Sequence, residues 1–440
     1  MANPLVDIFR VKELRQRIFY TFMWLALFRL GTFLPIPGIN AAALQSYFAS
    51  QSSSSPGSSV TDYLDFFAGG AFKNFSLFML GVMPYISAQI IMQLVVIVFP
   101  KLKKISEEEG GRKRIARWTR ISSVFVCIVQ SYAVTVWADR IPNAITMARI
   151  PYTLIAILTV TTGSMFLVWV GEQITKRGIG NGVSLLIFAG IVARLPNASY
   201  ELIKRIQMDE LNPIYAIVVV AMFVAVVALV VMEQQGQRKI PVNYAKRVVG
   251  RRMYGAQNTY IPFKINPSGV IPVIFASSIL TFPLQISQSL GVNVKWLRDF
   301  SYWLSPHGFW YNTLYVVFII FFAYFYTQVT LNPQQISKNI RENGGSIPGI
   351  RSERMEEHLT RILNRIILPG SLYLGLIALL PTLVMSLFNF PSQLAYLMGG
   401  TSLLILVGVD LDTMAQINAL LKMHHHDGLT SKGHIRSRNL

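Results

Sequence analysis

The chain has 440 residues, 52% of them hydrophobic and only 14% charged, with 40 Lys and Arg against 21 Asp and Glu. An average soluble domain carries about 25% charged residues, so these few charges do not make a water-facing surface, and the apolar content excludes a disordered chain. A bilayer has to cover the apolar surface, and at about 20 residues per helical span there is room for ten.

The uncharged stretches mark the spans in chain order. Span one is 18–36, interrupted by Arg29, and span two is 74–100. Spans three to six are 121–138, 150–171, 178–193 and 211–232. Span seven lies in 265–294 and span eight in 311–331. The uncharged stretch 366–409 holds spans nine and ten, broken between Asn389 and Gly400. Spans two, five and seven look wrong for lipid. Span five is short and opens on glycines. Span two carries Gly81, Pro84, Ser87, Gln89 and Gln93, and span seven carries Pro267, Pro272, Ser277, Ser278 and Pro283. Polar groups at that depth face protein or water, so these three spans are expected to line something.

Ten spans put both termini on one side. With the even-numbered gaps, that side holds 31 basic residues against 8 on the other. The positive-inside rule makes it the cytoplasmic side. No cleavable leader is read at the start, which lacks a small-residue cleavage site. Five plus five spans give two halves of inverted orientation, without an evident residue-level repeat.

The first outer loop contains a serine-rich linker, 50–59, and then an apolar piece, 62–72, too short to span and ending in Gly69-Gly70-Ala71-Phe72. It either lies at the interface or folds back into the membrane.

No constellation of an enzyme is present, and no cofactor or metal is expected. The run Arg177 to Gly182 resembles a phosphate loop but lacks the preceding strand, so it reads as a helix break. His424, His425 and His426 sit in the tail without converging partners. Cys127, the single cysteine, reads as a small buried apolar side chain. Asp410 and Asp412 are wet interfacial residues or a cation site. Val82 and Ile86 share a helix face about 6 Å apart along the axis, as do Ile187 and Ile191. Ile274, Ser278 and Phe282 share a face of span seven. Core packing accounts for each group taken alone. Loops 233–268 and 332–365 are long, basic and of mixed sequence, which suits a partner with an acidic or phosphate surface.

Several motifs together resemble the SecY/Sec61-alpha family, the channel subunits of Sec protein translocases, in its bacterial form. They are Phe28-Arg29-Leu30-Gly31 with Pro35-Ile36-Pro37-Gly38, Phe67 to Ala71, Leu80 to Ala88, Gly171 to Gly182, Val242 to Arg247, Gly269 to Ser278, Pro348 to Arg351 and Gly399 to Ile405. The resemblance covers nearly the whole chain. It implies an all-α polytopic membrane protein: ten transmembrane helices in two inverted five-helix halves, 1–195 and 196–422, around an hourglass pore, with a cytoplasmic tail at 423–440. It implies a pore ring of Val82, Ile86, Ile187, Ile191, Ile274 and Ile405. The plug helix would be about 62–72, with Phe66, Phe67, Gly69 and Gly70. The lateral gate would involve Ser87 and Gln93 of span two and Ser278 and Phe282 of span seven. Arg247, Arg251, Arg252 and Arg351 would dock the SecA ATPase and the ribosome, through its RNA and proteins. SecE and SecG subunits, secretory and membrane-protein substrates with signal sequences, and the lipid bilayer complete the implied partners, in a bacterial cytoplasmic membrane. The expected function is a passive protein-conducting channel with lateral release of transmembrane segments. The alternative is a solute transporter using Asp410 or Asp412, which requires a polar midplane pocket; a bare membrane scaffold would conduct nothing. Linker 50–59 and Asp410 depart from the family pattern.

Overall fold

The computed structural model describes residues 11–431 except 42, 45, 49–64, 66–67, 140, 209–212, 245–246, 250–251, 255–257, 291–294, 297–298, 300–302, 305–307 and 389–399. Ten described helices match the ten spans: α1 (Lys12–Gly31), α2 (Met83–Val98), α4 (Gly111–Ala138), α5 (Arg149–Arg177), α6 (Gly182–Val192), α8 (Pro213–Gln235), α9 (Ile271–Leu290), α10 (Phe309–Thr330), α12 (Met355–Phe388) and α13 (Gly400–Ser431). Between them lie α3 (Pro100–Glu107), α7 (Leu195–Gln207) and α11 (Pro333–Glu342). Seven helical stretches among the described residues are long and apolar enough to cross a membrane, α6 only together with α7, and the bent pair α2 and α3 makes an eighth. Of the remaining two, α1 carries charges at both ends, and α9 has a described apolar stretch over Ile271–Thr281.

The chain forms two compact units: Met1–Lys204 with Gln285–Arg298 and Ile405–Leu440, and Arg205–Leu284 with Asp299–Leu404. In the first, α1 packs on α5 and α6, α2 on α4, and α4 on α5. Tyr152, Leu167, Ile174 and Ile90 are fully buried there, as is Cys127. Large side chains such as Phe125, Ile150 and Leu158 stay exposed on the same helices, as lipid-facing positions should.

Span two begins later than its hydropathy suggests. Residues 68–82 are successive turns, and the helix starts only at Met83, with Pro84 in its first turn where its missing N–H costs nothing. The turns survive in an apolar setting because other backbone satisfies them: Ile36 N donates to Phe75 O and Leu77 N to Leu34 O, each at 2.9 Å. At its other end α2 stops at Phe99, which is extended before Pro100, and the chain bends 108° into α3.

Span five is an 11-residue helix, shorter than the stretch read from the sequence. Asn181 caps it, its side-chain oxygen accepting from Val183 N and Ser184 N. Gly182 is needed here for approach, because a Cβ would lie 2.0 Å from Gly171 O. The Gly-rich run is a junction whose donors are used by the protein. Gly182 N reaches Thr175 Oγ1 at 2.8 Å, Gly180 N reaches Gln416 Oε1 at 2.9 Å, and Ile179 N reaches Thr21 Oγ1 at 3.1 Å. The segment after α6 continues as α7, so the outer gap is largely helical. At the other end of the unit α13 runs to Ser431, into the stretch 423–440 read as the tail.

The second unit holds one element that an all-helical reading omits. Loop 233–268 folds into antiparallel strands β1 (Gln237–Tyr244) and β4 (Asn258–Lys264), with a small hairpin of β2 (Arg247–Val249) and β3 (Arg252–Tyr254). β1 also pairs with β5 (Gly345–Ser346), so both long basic loops share one sheet. Side chains alternate across the strands. Ile240, Val242 and Phe263 point inward onto Ala323 of α10, Ile340 of α11, and Met355, Leu359 and Leu363 of α12.

Candidate functional site

The piece read as either interfacial or re-entrant is folded into the first unit. Asp65, Ala68, Ala71 and Phe72 are all buried. The Phe72 ring lies 5.9 Å from that of Trp137, and Phe75 stacks on Trp137 at 5.8 Å. The described residues 68–72 are turns, while 62–64, Phe66 and Phe67 lie outside the described residues.

Polar contacts fix the segment at several points. Asp65 organises it internally: its Oδ1 accepts from Lys73 N at 2.9 Å and its carbonyl accepts from Gly70 N at 3.1 Å. Asp65 Oδ2 forms an ion pair with Arg194, which follows α6. Arg29, in the last turn of α1, donates from Nη1 to the Gly69 carbonyl at 2.9 Å and lies 5.0 Å from the centre of the Phe33 ring. Gly69 is required twice over: its φ is +65°, and a Cβ there would lie 2.7 Å from Gly190 Cα of α6. Arg29 stood out in the sequence as the basic residue inside a span. Its partner did not, and neither did the pairing of Asp65 with Arg194; the available signal was the pair of carboxylates, Asp62 and Asp65, at the start of an apolar piece.

Of the residues expected to form the pore ring, Val82, Ile86, Ile187, Ile191 and Ile405 are buried, and Ile274 is half-buried. Val82 precedes α2 and its carbonyl accepts from Ile86 N at 3.2 Å, so the two stand one turn apart. Ile187 and Ile191 are one turn apart on α6. Ile274 belongs to the second unit. Of the gate residues, Ser87 is buried and Gln93 half-buried on α2. Ser278 is buried on α9 with its hydroxyl unpaired. Phe282 lies on α9, its side chain outside the described residues.

Arg247 and Arg252 lie on the β2–β3 hairpin, Arg251 is outside the described residues, and Arg351 is exposed just before a short 3₁₀ turn. Arg238, Lys239 and Lys264 are exposed on the larger sheet, with Lys239 Nζ 4.7 Å from the centre of the Tyr260 ring. Asp410 and Asp412 are both exposed on α13. Among the described residues no group of three or more His, Cys, Asp and Glu could hold a metal ion.

The family model described as SecY matches residues 76–414. The chain is 46% identical to the protein translocase subunit SecY of Borreliella burgdorferi over 424 residues, 96% of each chain. A solved structure described as that of a protein conducting channel superposes with a TM-score of 0.65 at 20% identity, covering 92% of each chain. A second, at 0.64 and 20% identity with the same coverage, concerns the SecY plug domain in stabilising the closed state and maintaining a membrane seal.

Proposed function

Because the chain belongs to the SecY family and is a protein-conducting channel of a multi-pass membrane protein fold, we propose that 62–72 is its plug and that Val82, Ile86, Ile187, Ile191, Ile274 and Ile405 form its waist. The observation that carries this reading is the burial of Asp65, Ala68, Ala71 and Phe72 against helices of the first unit. An interfacial segment would keep one face exposed. Aliphatic groups at a constriction offer water no hydrogen bonds, so the closed waist dewets and excludes ions without any chemistry. The exposure of Asp410 and Asp412 gives no support to a solute-coupling site.

In this proposal the halves are 1–195 and 196–422, and they part sideways at Ser87, Gln93, Ser278 and Phe282. A sufficiently apolar segment then leaves for lipid, gaining about 0.3–0.6 kcal/mol per Leu, Ile, Phe or Val at the bilayer centre. The sheet and Arg351 face the cytoplasm of a bacterium with both termini, as the basic asymmetry supports. Arg247, Arg251, Arg252 and Arg351 meet the acidic or phosphate surfaces of SecA and the ribosome there, and SecE and SecG complete the complex in the inner membrane. A secretory chain stalled in transit tests the waist: photocrosslinkers at positions 86 and 274 should capture it. Capture at exposed α4 positions such as Phe125, but not at 86 or 274, would discard the waist assignment.

A further inference from the structure

We propose that Arg29 and Arg194 form a two-point ionic latch that holds the plug segment closed; this rests on the reading of 62–72 as the plug. The two arginines come from different helical elements, α1 and the junction that follows α6. They grip one short segment four residues apart, Arg194 at the Asp65 carboxylate and Arg29 at the Gly69 carbonyl. Asp65 is fully buried and Arg194 is about four-fifths buried, so neither charge has water to fall back on while the segment stays in place.

That geometry sets how the latch behaves. A charge-assisted hydrogen bond or ion pair is strong and directional, but two charges removed from water lose most of that gain to desolvation. The latch therefore selects one closed position and adds little net stability to it. When the segment leaves, Asp65, Arg29 and Arg194 all recover water, which offsets the broken contacts. The closed state is thus sealed yet easily left. Asp65 also accepts from Lys73 N, so its displacement loosens the turn that follows, and the segment moves as a unit.

The latch makes a two-sided prediction that a purely structural contact does not. Removing one partner strands a buried charge and favours opening; replacing both with apolar groups of similar size removes the desolvation cost and favours closure. The test uses the full chain assembled with its partner subunits in planar bilayers, with resting ion conductance as the readout. Export of a reporter with an intact signal controls for folding. Arg194→Ala and Asp65→Ala should each raise resting conductance roughly tenfold. The charge swap Asp65→Arg with Arg194→Asp should return it to near the wild-type level. Asp65→Leu with Arg194→Met should leak no more than wild type and should slow export. Arg29→Gln should leak less than Arg194→Ala, since a neutral amide still reaches the carbonyl.

Deletion of 62–72 separates the two ideas. If the deletion leaks while both alanine variants stay tight, the latch is wrong and the plug reading stands. If the deletion is also tight, both fall. A charge swap that exports normally and remains leaky overturns the latch as well.

Discussion

The segment proposed as the plug and the β1–β4 sheet are both excursions between span helices, and they treat charge in opposite ways. Around 65–82 Asp65 is fully buried, and Arg29 and Arg194 are turned onto the segment. On the sheet the charges point outward, with Arg238, Lys239 and Lys264 exposed while Ile240, Val242 and Phe263 pack onto α12. The first arrangement holds a piece of this chain in one place. The second carries its charge on the exposed side of the sheet and relies on apolar packing for its own stability. The comparison implies that the two regions can be broken separately, and that each breaks by its own kind of substitution.

The largest effect is expected from the apolar side. Leu359 is fully buried in the cluster that seats the sheet. Leu359→Ala should cost about 2–5 kcal/mol through lost contacts and a cavity. Hydrogen exchange in β1 and β4 should accelerate, and SecA and ribosome affinity should fall, with resting conductance unchanged. A leaky but docking-competent variant would mean the sheet and the seal are not separable in this way.

Gly69→Val is the counterpart in the plug. A β-branched residue at a positive φ costs about 1–2 kcal/mol, and overpacking against Gly190 adds about 1–3 kcal/mol. Resting conductance should rise with docking affinity retained. Gly70 also has a positive φ but nothing within 4 Å of a built Cβ, so Gly70→Ala should leak less. Equal leaks from both would show that backbone conformation, and not contact with α6, sets the seat.

The next effect is smaller and concerns the waist. Ile405→Asn or Ile86→Asn puts an amide among aliphatic groups, and burying it unpaired costs about 1–3 kcal/mol. Export of a signal-defective reporter should increase roughly 5- to 150-fold. Ile→Leu at the same positions should change little. Wild-type export and conductance in normally expressed Asn variants would return these residues to ordinary core.

How much of this could be read from the sequence depends on the range of the interaction. The ten helices were legible because each follows from a local run of uncharged residues. The start of α2 was not, since 74–82 is as apolar as a helix. Only the distant carbonyl of Leu34 and the amide of Ile36, which pair with the turns, explain why it does not coil. The sheet was half legible. Ile240 and Val242 alternate with polar neighbours, but the basic residues drew the reading toward a plain loop. The pairing of Asp65 with Arg194 joins residues 129 apart, and no local pattern announces a partner at that distance. Gly69 was visible as half of a glycine pair, but its need for space against Gly190 was not.

The smallest expected effect belongs to the basic residues of loops 233–268 and 332–365. Arg252 lies on the β2–β3 hairpin and Arg351 is exposed. An exposed ion pair is worth about 0–1 kcal/mol, so Arg351→Glu should leave the fold intact, and far-UV circular dichroism checks the same for Arg252→Glu. What they change is attraction to a negatively charged partner, which a reversed charge turns into repulsion. Screening decides when that is seen: the Debye length is about 30 Å at 0.01 M salt and 8 Å at 0.15 M. The loss of SecA or ribosome affinity should therefore be larger at the lower salt and shrink as salt rises. Arg→Lys at the same sites keeps the charge and should follow the wild-type salt curve if attraction is all that matters. If Arg→Lys loses as much as Arg→Glu at every salt concentration, the guanidinium makes a specific paired contact, and these basic residues hold a partner in place as Arg29 and Arg194 hold the segment proposed as the plug.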